Sequence, residues 1–278
     1  MAKNSTENTF PERVYQLLIL LISMAGFVPK NASIPRTIVM IASIVFAIYM
    51  VNYQPDNSGL AVIYFILVEI LYLGFITIVL SKNGLRHWFI KKWPDENKGY
   101  LAFEAILGFL FFHNFVSIGY IASSSTGNLF YNIPREFLLI IVAVMFVSGF
   151  TIKILSAKVL TIEIYYWKDM FLGKKIKDFI VSGPYKYFSN PMYGIGQLQA
   201  YATAIWYGSE YGLIAAFLNQ FLIFSFYFLV EKKFINRVYQ RNISEHSNRK
   251  RSTIGQLKAK ELVLNMYNKF NLNNNKHE

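Results

Sequence analysis

Long apolar blocks, separated by short polar stretches, dominate the chain. A helix needs roughly 17–25 mostly apolar residues to cross the hydrocarbon core of a membrane. Seven blocks are candidates, although the first and sixth are short and the sixth is rich in glycine and polar residues. They are residues 14–28, 37–53, 59–81, 100–123, 137–155, 192–207 and 213–230. The pattern predicts an all-α, polytopic integral membrane protein with about seven transmembrane helices.

The first block has a second interpretation, as a signal peptide. The segment that precedes such a peptide's apolar core is normally positively charged. Glu7 and Glu12 stand there instead, so we expect the first block to be retained as a helix.

The composition indicates that lipid surrounds much of the chain. Of 278 residues, 54% are hydrophobic and only 16% are charged, whereas a soluble domain carries about 25% charged residues. The formal net charge of +12 would suggest a nucleic-acid partner in a soluble protein. In a membrane protein the location of the charges matters more, and we expect no nucleic-acid partner.

The basic residues are distributed unevenly between the two sides of a seven-span arrangement. Of the 28 Lys and Arg residues, Lys3, Arg13 and Arg135 fall on the side of the N-terminus, and the other 25 fall opposite. This asymmetry follows the positive-inside rule. It predicts that the N-terminus faces out and that the C-terminus is cytoplasmic.

Metal and thiol chemistry find no support in the sequence. The chain has no cysteine, which excludes disulfides, thiolate nucleophiles and zinc–thiolate sites. The four histidines lie far apart and form no ligand motif, so no metal is expected. They are His87, His113, His246 and His277.

The C-terminal tail is basic from Lys232 onward. Such a cluster either anchors the topology or binds anionic lipid, at about 1 kcal/mol per charge near the surface. Residues 254–270 could form a surface helix, and residues 271–278 are polar and expected to be disordered.

The stretch between the fifth and sixth blocks carries the candidate chemistry. It contains Glu163, the aromatic run 165–167 and Asp169, and it ends in a Gly183-Pro184 turn. Asn190 followed by Pro191 predicts a helix start, where free N–H groups and the helix dipole favour an anion. Gly194 and Gly196 would let a ligand approach the backbone.

Glu231 should come close to this helix start. The turn between the sixth and seventh blocks is short, so the seventh block returns to the same face and ends at Glu231. A helix N-terminus beside a carboxylate makes a bipolar site. S-adenosylmethionine is a bipolar ligand of this kind, although many zwitterions would also fit.

These residues resemble the C-terminal signature of the phospholipid methyltransferase and isoprenylcysteine carboxyl methyltransferase superfamily. The resemblance covers roughly residues 135–241, and residues 166–171 with Asn190-Pro191-Met192-Tyr193 are more similar to the phosphatidylethanolamine methyltransferases. In the superfamily an Arg-His-Pro-x-Tyr segment and a later Glu-Glu pair bracket a helical hairpin. Here Ser189-Asn190 replaces Arg-His, Lys232 follows Glu231, and no clear Gly-x-Gly precedes the tyrosine-rich segment.

The resemblance implies methyl transfer from S-adenosylmethionine to phosphatidylethanolamine at the cytoplasmic face of a bacterial inner membrane or the endoplasmic reticulum. Asp169 or Glu231 would take the proton of the amine, and Tyr193 would orient the donor. The implied cofactor-binding residues are Asn190, Pro191, Met192, Tyr193, Gly194, Gly196 and Glu231. The implied substrate-binding residues are Tyr166, Trp167, Lys186 and Arg237. The chain would divide into N-terminal helices (1–134), a methyltransferase-like core (135–241) and a tail (242–278).

Several alternatives stay open at this point. The acceptor could be a prenylated cysteine carboxylate or a small thiol, and the chain could instead be a transporter or a sensor. Residues 165–167 could form an aromatic belt at the interface or make cation–π contacts with a sulfonium or methylated ammonium. Glu69 and His113 lie near the middle of adjacent blocks, and we expect them to pair because ionisable residues in a membrane need partners.

Overall fold

A computed structural model describes residues 9–53, 57–177 and 182–240, and within these ranges the chain is helical without a β-strand. The prediction of an all-α protein is confirmed. The α-helices of these ranges are α1 Phe10–Met24, α2 Ile34–Tyr53, α3 Ser58–Leu80, α4 Arg86–Lys92, α5 Glu96–Ser124, α6 Arg135–Leu160, α7 Ile162–Tyr165, α8 Lys168–Leu172, α9 Leu198–Trp206, α10 Glu210–Phe226 and α11 Lys232–Ile235. Short 3₁₀ turns occupy Pro29–Asn31, Gly183–Lys186 and Ile195–Gln197, and π-helical turns occupy Tyr227–Glu231 and Asn236–Gln240.

The chain forms two compact units, and the first extends to Lys232. Of the second unit, which begins at Lys233, the structure describes residues 233–240. The predicted tail at 242–278 lies outside the described residues, together with its predicted helix at 254–270 and its predicted disorder at 271–278. The predicted boundary after residue 134 stays a prediction.

Within the described ranges, five helical stretches are long and apolar enough to cross a membrane. They are Ile34–Asn52, Ser58–Leu80, Glu96–Ser124, Arg135–Leu160 and Glu210–Tyr239, and they coincide with five of the seven predicted spans. The first predicted span folds as α1 with 15 residues, and the sixth contains α9 with nine. At a rise of about 1.5 Å per residue, neither helix alone crosses the hydrocarbon core. The count of seven spans and the orientation of the termini are therefore not confirmed.

The long helices surround a buried interior and expose apolar side chains on their outer faces. α3 packs against α5, α6 packs against α9, and α10 contacts both α5 and α9. α6 leaves Phe137, Val144 and Val147 more than half exposed. In lipid such exposure carries no penalty, because lipid tails are as apolar as these side chains. An integral membrane protein accounts for this surface.

Two glycines allow the chain after α1 to lie directly on α5. Gly26 has a φ of +110°, which side-chain-bearing residues rarely adopt, and its backbone oxygen faces Gly108 of α5. A Cβ atom added at Gly108 would overlap this oxygen. The close approach of the two backbones therefore depends on glycine at both positions.

Replacing Gly108 with Ala should destabilise the protein by about 1–3 kcal/mol, because one backbone must move away from the other. Unfolding in mixed micelles with a denaturing detergent measures the change. Gly74→Ala in α3 is the matched control, since a Cβ there meets nothing within 4 Å and gains up to about 1 kcal/mol of helix propensity. Equal stability of the two variants would contradict this account.

A buried ion pair ties the start of α2 to α5. Arg36 Nη2 lies 2.8 Å from Glu104 Oε1, and the Glu104 side chain is 2% exposed. Asn31 Nδ2 donates to Glu104 Oε2 at 2.6 Å, and Arg36 Nη1 donates to the Asn31 carbonyl at 2.8 Å. Both oxygens of the buried carboxylate are thereby hydrogen-bonded.

The predicted pairing of Glu69 with His113 is wrong. Glu69 Oε1 accepts hydrogen bonds from Asn114 Nδ2 and Asn219 Nδ2, both at 2.7 Å. His113 instead has Tyr64 Oη 2.6 Å from Nδ1 and Ser43 Oγ 3.1 Å from Nε2. His113 and Asn114 are adjacent on α5 and therefore face different neighbours, so the amide rather than the imidazole meets Glu69.

Candidate functional site

The connection from α6 to α9 brings aromatic side chains toward α10. Of its described residues other than glycine, Thr161 and Trp167 adopt a positive φ, at 74° and 51°. Such backbone positions cost energy and often mark functional regions. Trp167 is 7% exposed, and its ring packs against Phe226 with a centroid distance of 5.3 Å.

Tyr193 and Glu231 meet at the centre of the candidate site. The Tyr193 hydroxyl donates to Glu231 Oε2 at 2.9 Å. The Trp167 side chain hydrogen-bonds to the same carboxylate. The predicted approach of Glu231 to the segment 190–193 is confirmed. Glu231 ends a π-helical turn, a feature that often occurs at functional sites.

The Tyr193 hydroxyl acts as the donor in its hydrogen bond to Glu231. A phenol that keeps its proton acts as a hydrogen-bond donor at neutral pH. Tyr193 therefore orients the Glu231 carboxylate.

An aromatic cavity of about 270 Å³ lies between α3, α5, α6, α9 and α10, beside this pair. Four predicted site residues line it: Tyr166, Trp167, Met192 and Tyr193. Phe111, Phe146, Phe150 and Tyr165 supply further rings. Aromatic faces attract cations such as a sulfonium or an alkylammonium, so these rings offer favourable contacts to the cationic part of a ligand.

The predicted helix start at Asn190 is wrong, because α9 begins at Leu198. Asn190 Oδ1 still accepts from the Tyr193 backbone N–H at 3.4 Å, but residues 191–194 form turns that are followed by the 3₁₀ turn Ile195–Gln197. The two glycines of this segment disfavour a helix. The anion-binding helix end is therefore absent at Asn190.

The two glycines contact protein groups. Gly196 is buried, and a Cβ there would lie 2.9 Å from Lys153 Cγ and 3.2 Å from the Pro191 carbonyl oxygen. Gly194 offers its carbonyl to Gln220 Nε2 at 3.3 Å. Gly196 thus makes room for a lysine stem, and the expected approach of a ligand to the two glycines stays a prediction.

The remaining predicted residues each have contacts of their own. Asp169 is 6% exposed and its Oδ1 accepts from the Met170 backbone N–H at 2.8 Å; it also interacts electrostatically with Glu231. Lys186 is exposed, with Nζ 5.6 Å from the centroid of the Tyr187 ring. Arg237 belongs to the second unit, where its guanidinium lies 6.0 Å from the centroid of the Phe234 ring.

Sequence reasoning missed several polar residues of the cavity wall. Lys153, Gln199, Asn114 and Asn219 all line it. The signal was their presence inside apolar blocks, because polar side chains in a membrane helix usually face the protein interior. Among the described residues no group of three or more His, Cys, Asp or Glu side chains could hold a metal ion.

Comparison with known proteins supports the resemblance found in the sequence. The phospholipid methyltransferase family model matches residues 137–242. A phosphatidylethanolamine N-methyltransferase of Eremothecium gossypii is 24% identical over 173 residues, which cover 60% of this chain and 20% of that protein. One of Clavispora lusitaniae is 30% identical over 102 residues, covering 36% and 12% respectively. The matched region thus spans a fifth or less of these relatives' length, and no solved structure matches significantly.

Proposed function

We propose that this chain transfers a methyl group from S-adenosylmethionine to the amine of phosphatidylethanolamine, because residues 137–242 match the phospholipid methyltransferase family model. The observation that carries the proposal is the Tyr193–Glu231 hydrogen bond beside the aromatic cavity. Both residues lie in the matched segment, and both come from the motifs that carry the resemblance.

The residues around the cavity fit a cationic methyl donor. S-adenosylmethionine, when bound, supplies an activated methyl group on a sulfonium. The rings of Tyr166 and Trp167 line the cavity, and a cation over such a face is stabilised by about 0.5–2 kcal/mol. The Glu231 carboxylate adds a negative charge nearby. Met192 and Tyr193 line the cavity and would contact the bound cofactor.

Glu231 is the proposed proton acceptor. An amine attacks only in its neutral form, so a group at the site must take its proton. Tyr193 and Trp167 hydrogen-bond to the Glu231 carboxylate and fix its position. Asp169 is the second candidate, because its carboxylate lies close enough to Glu231 for the two like charges to repel each other, which favours a proton on one of them.

The proposed orientation places this site at the cytoplasmic face. It rests on the uneven distribution of Lys and Arg, with the N-terminus outside. Two shorter segments, α1 and the region 191–206, would then enter the bilayer packed against the longer helices. A reporter fused after Tyr53 should read as external, and a cytoplasmic reading would contradict the orientation.

Methyl transfer by the purified protein tests the function directly. The protein is incubated in mixed-lipid micelles with labelled S-adenosylmethionine, and the lipids are separated afterwards. We expect label on methylated derivatives of phosphatidylethanolamine. Cofactor binding without labelled lipid would overturn this acceptor, and the absence of both would overturn the proposed reaction.

A further inference from the structure

Lys153 is a basic residue in the wall of the aromatic cavity. It belongs to α6, inside the candidate span Arg135–Leu160, and it lines the cavity. Its stem packs on Gly196, where an added Cβ would lie 2.9 Å from Lys153 Cγ and 3.4 Å from Cε. No carboxylate of the described ranges forms an ion pair with it, and it donates no hydrogen bond there.

An ammonium in a membrane helix without a partner is costly, and such residues usually mark a functional position. A lysine near a helix end often extends its stem to the interface instead. Lys158, on the same helix, is exposed and fits that description. Lys153 differs, because it is half-buried and its stem lies against the segment that leads into α9.

The same cavity wall holds a hydrogen-bond acceptor. Gln199 is 6% exposed, and its Oε1 has no hydrogen-bond partner among the described residues. A buried acceptor without a partner costs about 1–3 kcal/mol. The cavity therefore combines one cationic group with one available acceptor, which complements a ligand that has an anionic oxygen and an N–H donor.

We propose that Lys153 binds the phosphodiester of the lipid head group inside the aromatic cavity, with Gln199 Oε1 accepting a hydrogen bond from the lipid amine. This assignment rests on the proposed function and deepens it. It gives the phosphate contact to Lys153 rather than to the exposed Lys186. A lysine ammonium binds phosphate oxygens well as a compact charge.

A phosphodiester is one of two anions that could meet Lys153, the other being the carboxylate of the cofactor. The two sources are separated by measuring the KM for phosphatidylethanolamine and the Kd for S-adenosylhomocysteine on the same variants. Lys153→Met removes the charge and keeps the length of the side chain. Lys158→Met is the matched control on the same helix.

Lys153→Met should raise the KM for phosphatidylethanolamine about 10- to 100-fold, the effect of one charged hydrogen bond. The Kd for S-adenosylhomocysteine should stay unchanged, Lys158→Met should behave as the wild type, and Lys153→Arg should restore most of the lipid KM. A weakened cofactor Kd with an unchanged lipid KM would overturn the inference, and so would no change in either constant.

A binding measurement tests the role of Lys153 without relying on methyl transfer. Trp167 lines the cavity, so its fluorescence reports ligand entry once the other three tryptophans, Trp88, Trp93 and Trp206, are replaced by Phe. Short-chain phosphatidylethanolamine should change the emission, and diacylglycerol, which lacks the phosphate, should not. Loss of this difference in Lys153→Met, or in Lys153→Gln if the first variant does not fold, supports the inference even without methyl transfer. Retention of the difference overturns it.

Discussion

Replacing Glu231 with Gln should lower kcat/KM for methyl transfer by about 10²–10⁴-fold, the range for loss of a general base. The amide keeps the shape of the side chain but neither takes a proton nor presents a negative charge. Labelled methyl transfer in mixed-lipid micelles measures the loss. The Kd for S-adenosylhomocysteine, measured on the same variant, separates a role in cofactor binding from one in proton transfer.

Two variants provide the controls for Glu231. Tyr193→Phe keeps the ring and removes only the hydroxyl that donates to Glu231 Oε2, so we expect a smaller loss, about tenfold. Glu163→Gln removes a carboxylate whose side chain is 44% exposed and paired with Lys168, and it should stay within about twofold of wild type. Wild-type activity of Glu231→Gln would remove this residue from the mechanism.

Arg36→Met should destabilise the protein by about 3–5 kcal/mol, because it leaves Glu104 buried without its cationic partner. Asn31 would remain as a donor to one carboxylate oxygen, which does not neutralise the charge. Reversible unfolding in mixed micelles measures the free energy. Arg36→Met should lower the free energy of unfolding by more than Gly108→Ala does.

A double variant distinguishes loss of a partner from loss of packing. Arg36→Met combined with Glu104→Leu removes both charges, and replacing a whole buried ion pair by apolar side chains is often nearly neutral. The double variant should therefore be more stable than Arg36→Met alone. Lys174→Met is the matched control, since its pair with Glu96 is more than half exposed and contributes less than about 1 kcal/mol. Equal losses for Arg36→Met and Lys174→Met would contradict the account.

Apolar block length predicted most of the fold. Five blocks became long helices, because a run of about 20 apolar residues leaves the backbone little alternative to a helix in lipid. The sixth block did not, since Gly194 and Gly196 interrupt its start and the chain continues as turns until Leu198. Block length alone does not reveal such interruptions.

The sequence predicted the part of the candidate site in which a short connection limits the distance between two residues. The short connection between α9 and α10 placed Glu231 beside Tyr193, as the 2.9 Å hydrogen bond confirms. The pairing of Glu69 failed because adjacent residues on a helix point about 100° apart, and the depth of a residue does not specify its direction. Lys153 and Gln199 escaped notice because no motif links α6 to α9 in sequence.

The hydrogen bond of Glu69 limits which part of this protein could be transferred to another protein by gene fusion. It binds Asn219, inside the family-matched segment, from a helix outside that segment. A segment 137–242 transplanted without α3 and α5 would carry Asn219 into lipid without its acceptor. The matched segment therefore depends on the earlier helices for a hydrogen-bond partner. We expect related proteins to retain the earlier helices and this segment together.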